Sequence, residues 1–260
     1  MALASGSSGN AYLVEAAGTA VVVDAGASLR SLMAAGERWG LPAERFACLL
    51  LTHEHSDHVA NAGLFCRRLR MPAAATEGTL QRLNLATDCR SLTPGQTIAL
   101  AGLAVTAFAL PHDGADPVGY LFEHDNVRVV LATDLGHVPP AVVGHLRQAD
   151  LLILESNHDV GRLWHGPYPW PLKQRVASPV GHLSNYQAAE CLASLGDGCP
   201  KTVWLAHLSA TNNSPRLALR TAKERLQSQG VRNIEIAVAL RDRPSLCWDS
   251  DLPTGQPQLL

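Results

Sequence analysis

The chain has 260 residues, 47% of them hydrophobic and 17% charged, so it holds material for a sizeable core and carries no signature of disorder. Its formal net charge of −2 excludes a global attraction to a phosphate backbone, and any nucleic-acid contact must come from a local basic patch. The N-terminal stretch from Met1 to Gly18 lacks a basic segment followed by a sustained apolar run, and no run is long enough for a membrane span, so a soluble cytoplasmic protein is expected. The six cysteines (Cys48, Cys66, Cys89, Cys191, Cys199 and Cys247) form no Cys-x-x-Cys pair and sit mostly in apolar runs, which predicts reduced, buried thiols.

In chain order, short β-rich runs come first: NAYLVEA, TAVVVDA and FACLLLT. A helical spacing of apolar residues follows from Asp57 to about Arg70. Further strands are predicted at LAVTAFAL, GYLFEH, VRVVLAT and DLLILES, with hairpin-like stretches between Thr97 and Thr133. Helices are predicted over Pro139 to Arg147, Asn185 to Leu195 and Ser214 to Gln229, the last opening on Ser-Pro, an N-cap followed by the residue favoured in the first turn. The final strands are TVWLAH and IEIAVAL. Strands alternating with helices predict an α/β protein of mixed sheets covered by helices. We expect one domain over residues 1–250, with a Pro/Gly/Gln-rich, loosely held tail over 251–260. The segment from Ser156 to Gly181 stands apart, with four prolines and two tryptophans among basic side chains, and reads as a packed loop near a site.

The strongest chemical signal is His53-Glu54-His55-Ser56-Asp57-His58, directly after the apolar run FACLLLT. A strand-to-helix turn presents several imidazoles and a carboxylate together, the donor mix of Zn, Fe or Mn sites. Three polar residues also end later apolar runs: His112 after TAFALP, Asp134 after VRVVLAT and His207 after TVWLA. Singly, each has an ordinary account as a surface or hydrogen-bonded residue. With His53, His55, Asp57 and His58 they complete a set of seven candidate ligands, enough for two divalent ions. Asp24 ends TAVVVD and is either a turn residue or a carboxylate supporting the ligands from behind.

With these motifs the chain resembles the metallo-β-lactamase superfamily over nearly its whole length. The resemblance implies an αβ/βα four-layer sandwich, two mixed β-sheets flanked by helices, with two metal ions at one edge. It assigns His53, His55 and His112 to one ion, Asp57, His58 and His207 to the other, and Asp134 to both. Asp24 matches the family's carboxylate behind the ligands. An aspartate rather than a cysteine at 134 argues against antibiotic hydrolysis and for the phosphodiesterase and thioesterase branches. Glu155 and His182 resemble the pair that serves proton transfer in the tRNA 3′-processing endonucleases of the superfamily, so Asp57, Glu155 and His182 are the expected catalytic residues. A carboxylate beside an imidazole fixes its tautomer and favours its acid form. As ordinary structure, Glu155 would cap a strand and His182 would be a packed histidine.

The strings LASGSSGNA, ESNHD, GPYP, LKQRV, GHLSNYQAAE and LAHLSATNN resemble the YycJ/WalJ group, which is associated with 5′ to 3′ exonuclease action on DNA. That implies a dinuclear hydrolase using a metal-bridging hydroxide on a DNA or other phosphodiester substrate. Candidate phosphate contacts are Ser7 and Asn10 in the first turn, Ser209, Asn212 and Asn213 after His207, and Arg162, Lys173 and Arg175 in the Trp/Pro segment. His158, Ser184 and Asn185 join them from the matching strings. Nitrogen and carboxylate donors leave Zn, Mn and Fe open. The rival readings are an enzyme for a small thioester or cyclic phosphodiester, and a metal-loaded regulatory protein without turnover.

Overall fold

Runs that are apolar at every position, such as Ala20–Val23 and Leu151–Leu154, are satisfied only between two apolar layers. The computed structural model, which describes residues 1–252 and the strand Gln258–Leu259, supplies those layers with two sheets face to face. The first sheet takes β1 (Ala2–Gly6), β2 (Gly9–Ala16), β3 (Thr19–Val23), β4 (Phe46–Leu50), β5 (Ala73–Thr76) and β6 (Cys89–Leu92) in that spatial order. The second takes β7 (Thr97–Leu100), β8 (Leu103–Ala109), β9 (Val118–His124), β10 (Val127–Ala132), β11 (Leu151–Glu155), β12 (Thr202–Ala206) and β13 (Glu235–Val238). The chain then returns to the first sheet with β14 (Leu246–Cys247) beside β1 and β15 (Gln258–Leu259) outside it.

Side-chain alternation sorts each strand between two cores. Val21 and Val23 enter the core between the sheets, where they meet Tyr120, Phe122, Leu131 and Trp204, while Val22 turns outward. In β11 Leu151 and Ile153 point to the central core and Leu152 and Leu154 away from it. Helices cover both outer faces. On the first sheet lie α1 (Leu29–Arg38), the single turn α2 (Ser56–Val59), α3 (Ala62–Leu69) and α4 (Glu77–Gln81), with Leu32, Ala35, Phe65 and Cys66 buried against it. The second half of the chain adds α5 (Pro140–Arg147), α6 (Val160–His165), α7 (Trp170–Val176), α8 (Asn185–Leu195) and α9 (Pro215–Ser228). Of these, α5, α8 and α9 bury Val142, Leu146, Leu192, Ala222 and Leu226 against the second sheet. This is the expected αβ/βα sandwich.

Some local expectations change. The helix predicted from Asp57 to Arg70 is two helices, because Ala25 takes the His58 carbonyl at 2.6 Å and its own carbonyl takes the Asn61 N–H at 3.0 Å, both withdrawn from helical pairing. The Trp/Pro segment is not a plain loop but holds α6 and α7, the first capped by Asp159 and the second opening at Pro169-Trp170-Pro171. All six cysteines are free, yet Cys89 is exposed on the outermost strand β6, correcting the expectation of buried thiols there. The tail expected over 251–260 lies mostly outside the described residues. No helix among the described residues is long and apolar enough to cross a membrane.

Topology places the site. The strands β10, β11 and β12 are parallel, and β8 runs the same way as β10 because both are antiparallel to β9. Their C-terminal ends therefore lie along one edge, next to the ends of the parallel strands β3 and β4 of the first sheet. Ligand sites form outside the carboxyl ends of strands arranged in this way.

Candidate metal centre

Every polar strand-end residue singled out by the sequence arrives at this edge. His53 and His55 follow β4, and Asp57 and His58 lie in α2. His112 follows β8, Asp134 follows β10, and His207 follows β12. Asp24, Asp134 and His207 adopt left-handed backbone angles, with φ of 62°, 63° and 53°. Such angles are uncommon outside glycine and cluster where surrounding structure compels them. Donor atoms within 4.8 Å of one another form a group from His53, His55 and His112, another from Asp57, His58 and His207, and a third from His53, His58 and Asp134 that joins the two.

Behind these donors the hydrogen bonds fix which ring nitrogen faces inward. His58 Nδ1 donates to Asp24 Oδ2 at 2.7 Å, and Asp24 also accepts from the Thr52 backbone N–H at 2.9 Å and from the Thr52 hydroxyl. With its proton given to Asp24, the Thr52 hydroxyl accepts from His53 Nδ1 at 3.0 Å. His112 Nδ1 donates to the Gly181 carbonyl at 3.0 Å. Glu155 holds two histidines at once: its Oε1 accepts from His207 Nδ1 at 2.7 Å and from His182 Nδ1 at 2.9 Å. Its Oε2 accepts the backbone N–H groups of Leu135 and Leu183, each at 3.0 Å. Carboxylates, carbonyls and hydroxyls bonded to the far nitrogen of an imidazole are the usual support for metal ligands.

The donor set fits a cation. His53 Nε2, His207 Nε2 and Asp134 Oδ2 are buried without a hydrogen-bond partner, a costly state for polar atoms unless an ion engages them. Burial alone would raise the Asp134 carboxyl, yet the imidazoles of His207 and His58 outweigh it and hold it well below the usual range. Burial likewise opposes ionisation of Glu155, and His182 and His207 beside it bring its carboxyl down to about 2. Reciprocally, Asp134 and Glu155 overcome burial to raise His207 to about 10. These buried carboxylates thus demand positive charge from what surrounds them.

The donors open into a cleft of about 370 Å³ whose walls include Ser7, His182, Ser209, Tyr168, Leu172 and Arg175. Of the candidate substrate contacts, Ser7, Ser209 and Arg175 reach it. Arg162 and Lys173 stand outside it, donating to the Asn213 carbonyl at 3.2 Å and the Trp164 carbonyl at 2.9 Å. Asn10, His158, Ser184, Asn185, Asn212 and Asn213 are buried and, unlike Ser209, which is buried too, do not line the cleft. Asn10 lies under the cluster of donors, its amide within 3.2 Å of Asp57 Oδ2 and 3.0 Å of His58 Nε2. Asn213 bonds the Ser156 and Asn157 carbonyls and pairs with Asn185, while Ser184 caps α8 with Gln187. Burial pushes His158 down to about 4, so it is neutral, and Asn212 presents a buried amide without partners.

Sequence reasoning missed Thr52 and Asp113. Thr52 directly precedes the histidine string, where only its shared bonds to Asp24 and His53 show its use. Asp113 follows His112, lies 3.3 Å from His112 Nε2 and pairs with the Arg175 guanidinium, joining α7 to the ligand loop. Its adjacency to a candidate ligand was the available signal.

The sequence profile of the beta-lactamase superfamily domain matches residues 19–208. The chain is 35% identical over 234 residues to the exodeoxyribonuclease YycJ of Bacillus anthracis, covering 88% of this chain and 89% of that protein. It is 34% identical over 232 residues to the exodeoxyribonuclease WalJ of Streptococcus pneumoniae, covering 86% of each. Among solved structures, the metallo-β-lactamase fold protein YhfI of Bacillus subtilis superposes with a TM-score of 0.69 at 19% identity, over 93% of this chain and 96% of that one.

Proposed function

The chain belongs to the beta-lactamase superfamily and, within it, to the group of YycJ and WalJ, and from that premise we propose that it is a divalent-metal-dependent phosphodiesterase degrading DNA from 5′ ends. The observation that carries this reading is the convergence, at one edge of the two-sheet sandwich, of seven imidazole and carboxylate side chains, three of them with orphaned buried donor atoms, in a chain this similar to exodeoxyribonucleases. In this reading His53, His55 and His112 would hold one ion and Asp57, His58 and His207 a second, with Asp134 joining the two donor groups, all within a single domain over residues 1–250. Nitrogen and carboxylate donors without cysteine suit Zn, Mn or Fe. When bound, such ions polarise a non-bridging phosphate oxygen and lower the pKa of a water.

The chain's own residues do the rest. Asp24, Thr52 and Glu155 keep the ligand imidazoles in the tautomer whose free nitrogen faces inward. His182, anchored through Nδ1 on Glu155, turns its remaining nitrogen to the cleft and delivers a proton to the leaving oxygen. The hydroxyls of Ser7 and Ser209 and the guanidinium of Arg175 receive the phosphate beside the reacting bond.

The test is digestion of end-labelled DNA by protein whose metal content has been measured. A linear duplex with 5′-phosphates should be degraded progressively to mononucleotides or short products, and a covalently closed circle should survive. Efficient cutting of closed circles would make the enzyme an endonuclease. Inertness toward all nucleic acids, with rapid turnover of a thioester or small cyclic phosphodiester, would overturn the reading.

A further inference from the structure

Six large apolar side chains are strongly exposed among the described residues, and five of them, Val160, Trp164, Trp170, Val180 and Tyr186, fall in one stretch beside the cleft. The same stretch has an unusual charge pattern. Between Asp159 and Glu190 there is no Asp or Glu, while Arg162, Lys173 and Arg175 are present, in a chain whose net charge is −2. The local basic patch that the overall composition withheld, Arg162 and Lys173 beside an Arg175 that is paired with Asp113, is therefore interleaved with aromatic rings.

Its centre is a pair of indoles. Trp164, 37% exposed, lies in the last turn of α6, and Trp170, 61% exposed, opens α7, with ring centroids 5.4 Å apart and planes at 44°. Both helices are anchored from beneath by buried apolar residues, Leu163 and Val176, and Lys173 Nζ ties α7 to the Trp164 carbonyl. The indoles thus stand on fixed supports. Between them in sequence, Tyr168 lines the cleft together with Leu172 and Arg175 of α7, so the pair is continuous with the cleft wall.

Exposing two indoles forgoes the stabilisation their burial would provide, which favours a surface with an occupant. A polyanion matches the cations, and only an unpaired strand offers free base faces, since duplex bases are already stacked on one another. Building on the phosphodiesterase reading above, we infer that Trp164 and Trp170, flanked by Arg162 and Lys173, form a stacking platform for the bases of a single-stranded end whose terminal phosphate occupies the cleft. The enzyme therefore prefers unpaired or frayed ends to blunt ones.

Metal-loaded wild type and a Trp164→Ala/Trp170→Ala variant are titrated with a phosphorothioate single strand of about 12 nucleotides, at fixed salt, by indole fluorescence and by anisotropy of a labelled strand. The strand should quench the wild-type emission, and the double variant should bind about 10- to 100-fold more weakly, with retained metal content reporting an intact fold. Trp170→Phe, which keeps an aromatic face, should recover part of the loss at that position, and a blunt duplex should quench far less than the single strand. Equal single-strand affinity in wild type and the double variant, or equal quenching by a blunt duplex, overturns the platform while leaving the phosphodiesterase reading intact. A wild type that neither binds nor digests any nucleic acid overturns that reading itself. A wild-type dimer in sedimentation that the double variant abolishes, with strand binding unchanged, assigns this face to a second copy of the chain and overturns the platform.

Discussion

Glu155 has two duties, and they separate its substitution from that of His182. Its Oε1 receives both His207 and His182, and its Oε2 receives two backbone N–H groups, so every contact it makes is as an acceptor. In Glu155→Gln an amide NH₂ must face donors on one side or the other, and the hold on His207 weakens. We expect metal affinity to fall about 10- to 100-fold, the usual effect of losing a carboxylate behind a ligand imidazole. His182→Ala leaves the bond between Glu155 and His207 in place, so metal content should stay normal while DNA turnover falls about 10² to 10⁴, the contribution of a general acid. That defect should shrink on an activated aryl phosphodiester, whose leaving group needs no proton. Metal analysis and the two substrates together check the split, and an equal His182→Ala defect on both would remove it from the acid role.

At the scale of elements, the short connection from β3 to α1 decides where α2 sits. Gly26 donates its N–H to the Asn10 carbonyl at 2.8 Å, and a Cβ there would lie 2.0 Å from the Asp57 carbonyl oxygen and 2.2 Å from the Asn10 backbone nitrogen. Backbone on both sides cannot yield as a flexible side chain would. Gly26→Ala should therefore displace the turn bearing Asp57 and His58, costing about 1–3 kcal/mol as overpacking does, and lowering metal content with it. Gly144 is the contrasting case: it lies within α5 with nothing within 4 Å of an added Cβ. Gly144→Ala should instead stabilise by roughly 0.5–1 kcal/mol, since alanine loses less entropy in a helix. Urea denaturation of both variants, with metal analysis of the first, tests the pair.

For the whole molecule, the proposed ligands straddle the seam between the sheets. His53, His55, Asp57 and His58 follow a strand of the first sheet, whereas His112, Asp134 and His207 follow strands of the second. The central core joins the sheets along their length, but at this edge buried carboxylates and imidazoles replace apolar contacts. Ions bound there would clamp the layers together. At metal concentrations of 100 to 1,000 times Kd, binding adds about 3–4 kcal/mol, and a chain of this size gains roughly 2–4 °C per kcal/mol. Chelation should lower Tm by about 5–15 °C in scanning calorimetry, reversibly on adding metal back. A Tm indifferent to chelation would mean that the ions do not join the sheets.

What the sequence determined by itself was the chemistry and the layering. The string from His53 to His58 carries its own meaning because its four donors are adjacent along one turn, and fully apolar runs such as AVVV (20–23) and LLIL (151–154) announce strands covered on both faces. Short elements escaped it: Ala73–Thr76, a run of three alanines and a threonine, becomes a strand only because its neighbours pair with it. The tertiary structure alone decided which polar residues line the cleft. Ser7, Asn10, Asn185 and Asn213 are chemically alike as phosphate donors, yet only Ser7 lines the cleft. Asn10 is spent on Asp57, 47 positions away, and Asn213 on Asn185, 28 positions away. A side-chain amide bonds whatever the fold brings within 3 Å or so of it, and for these residues the partners lie too far along the chain for local pattern to reveal them.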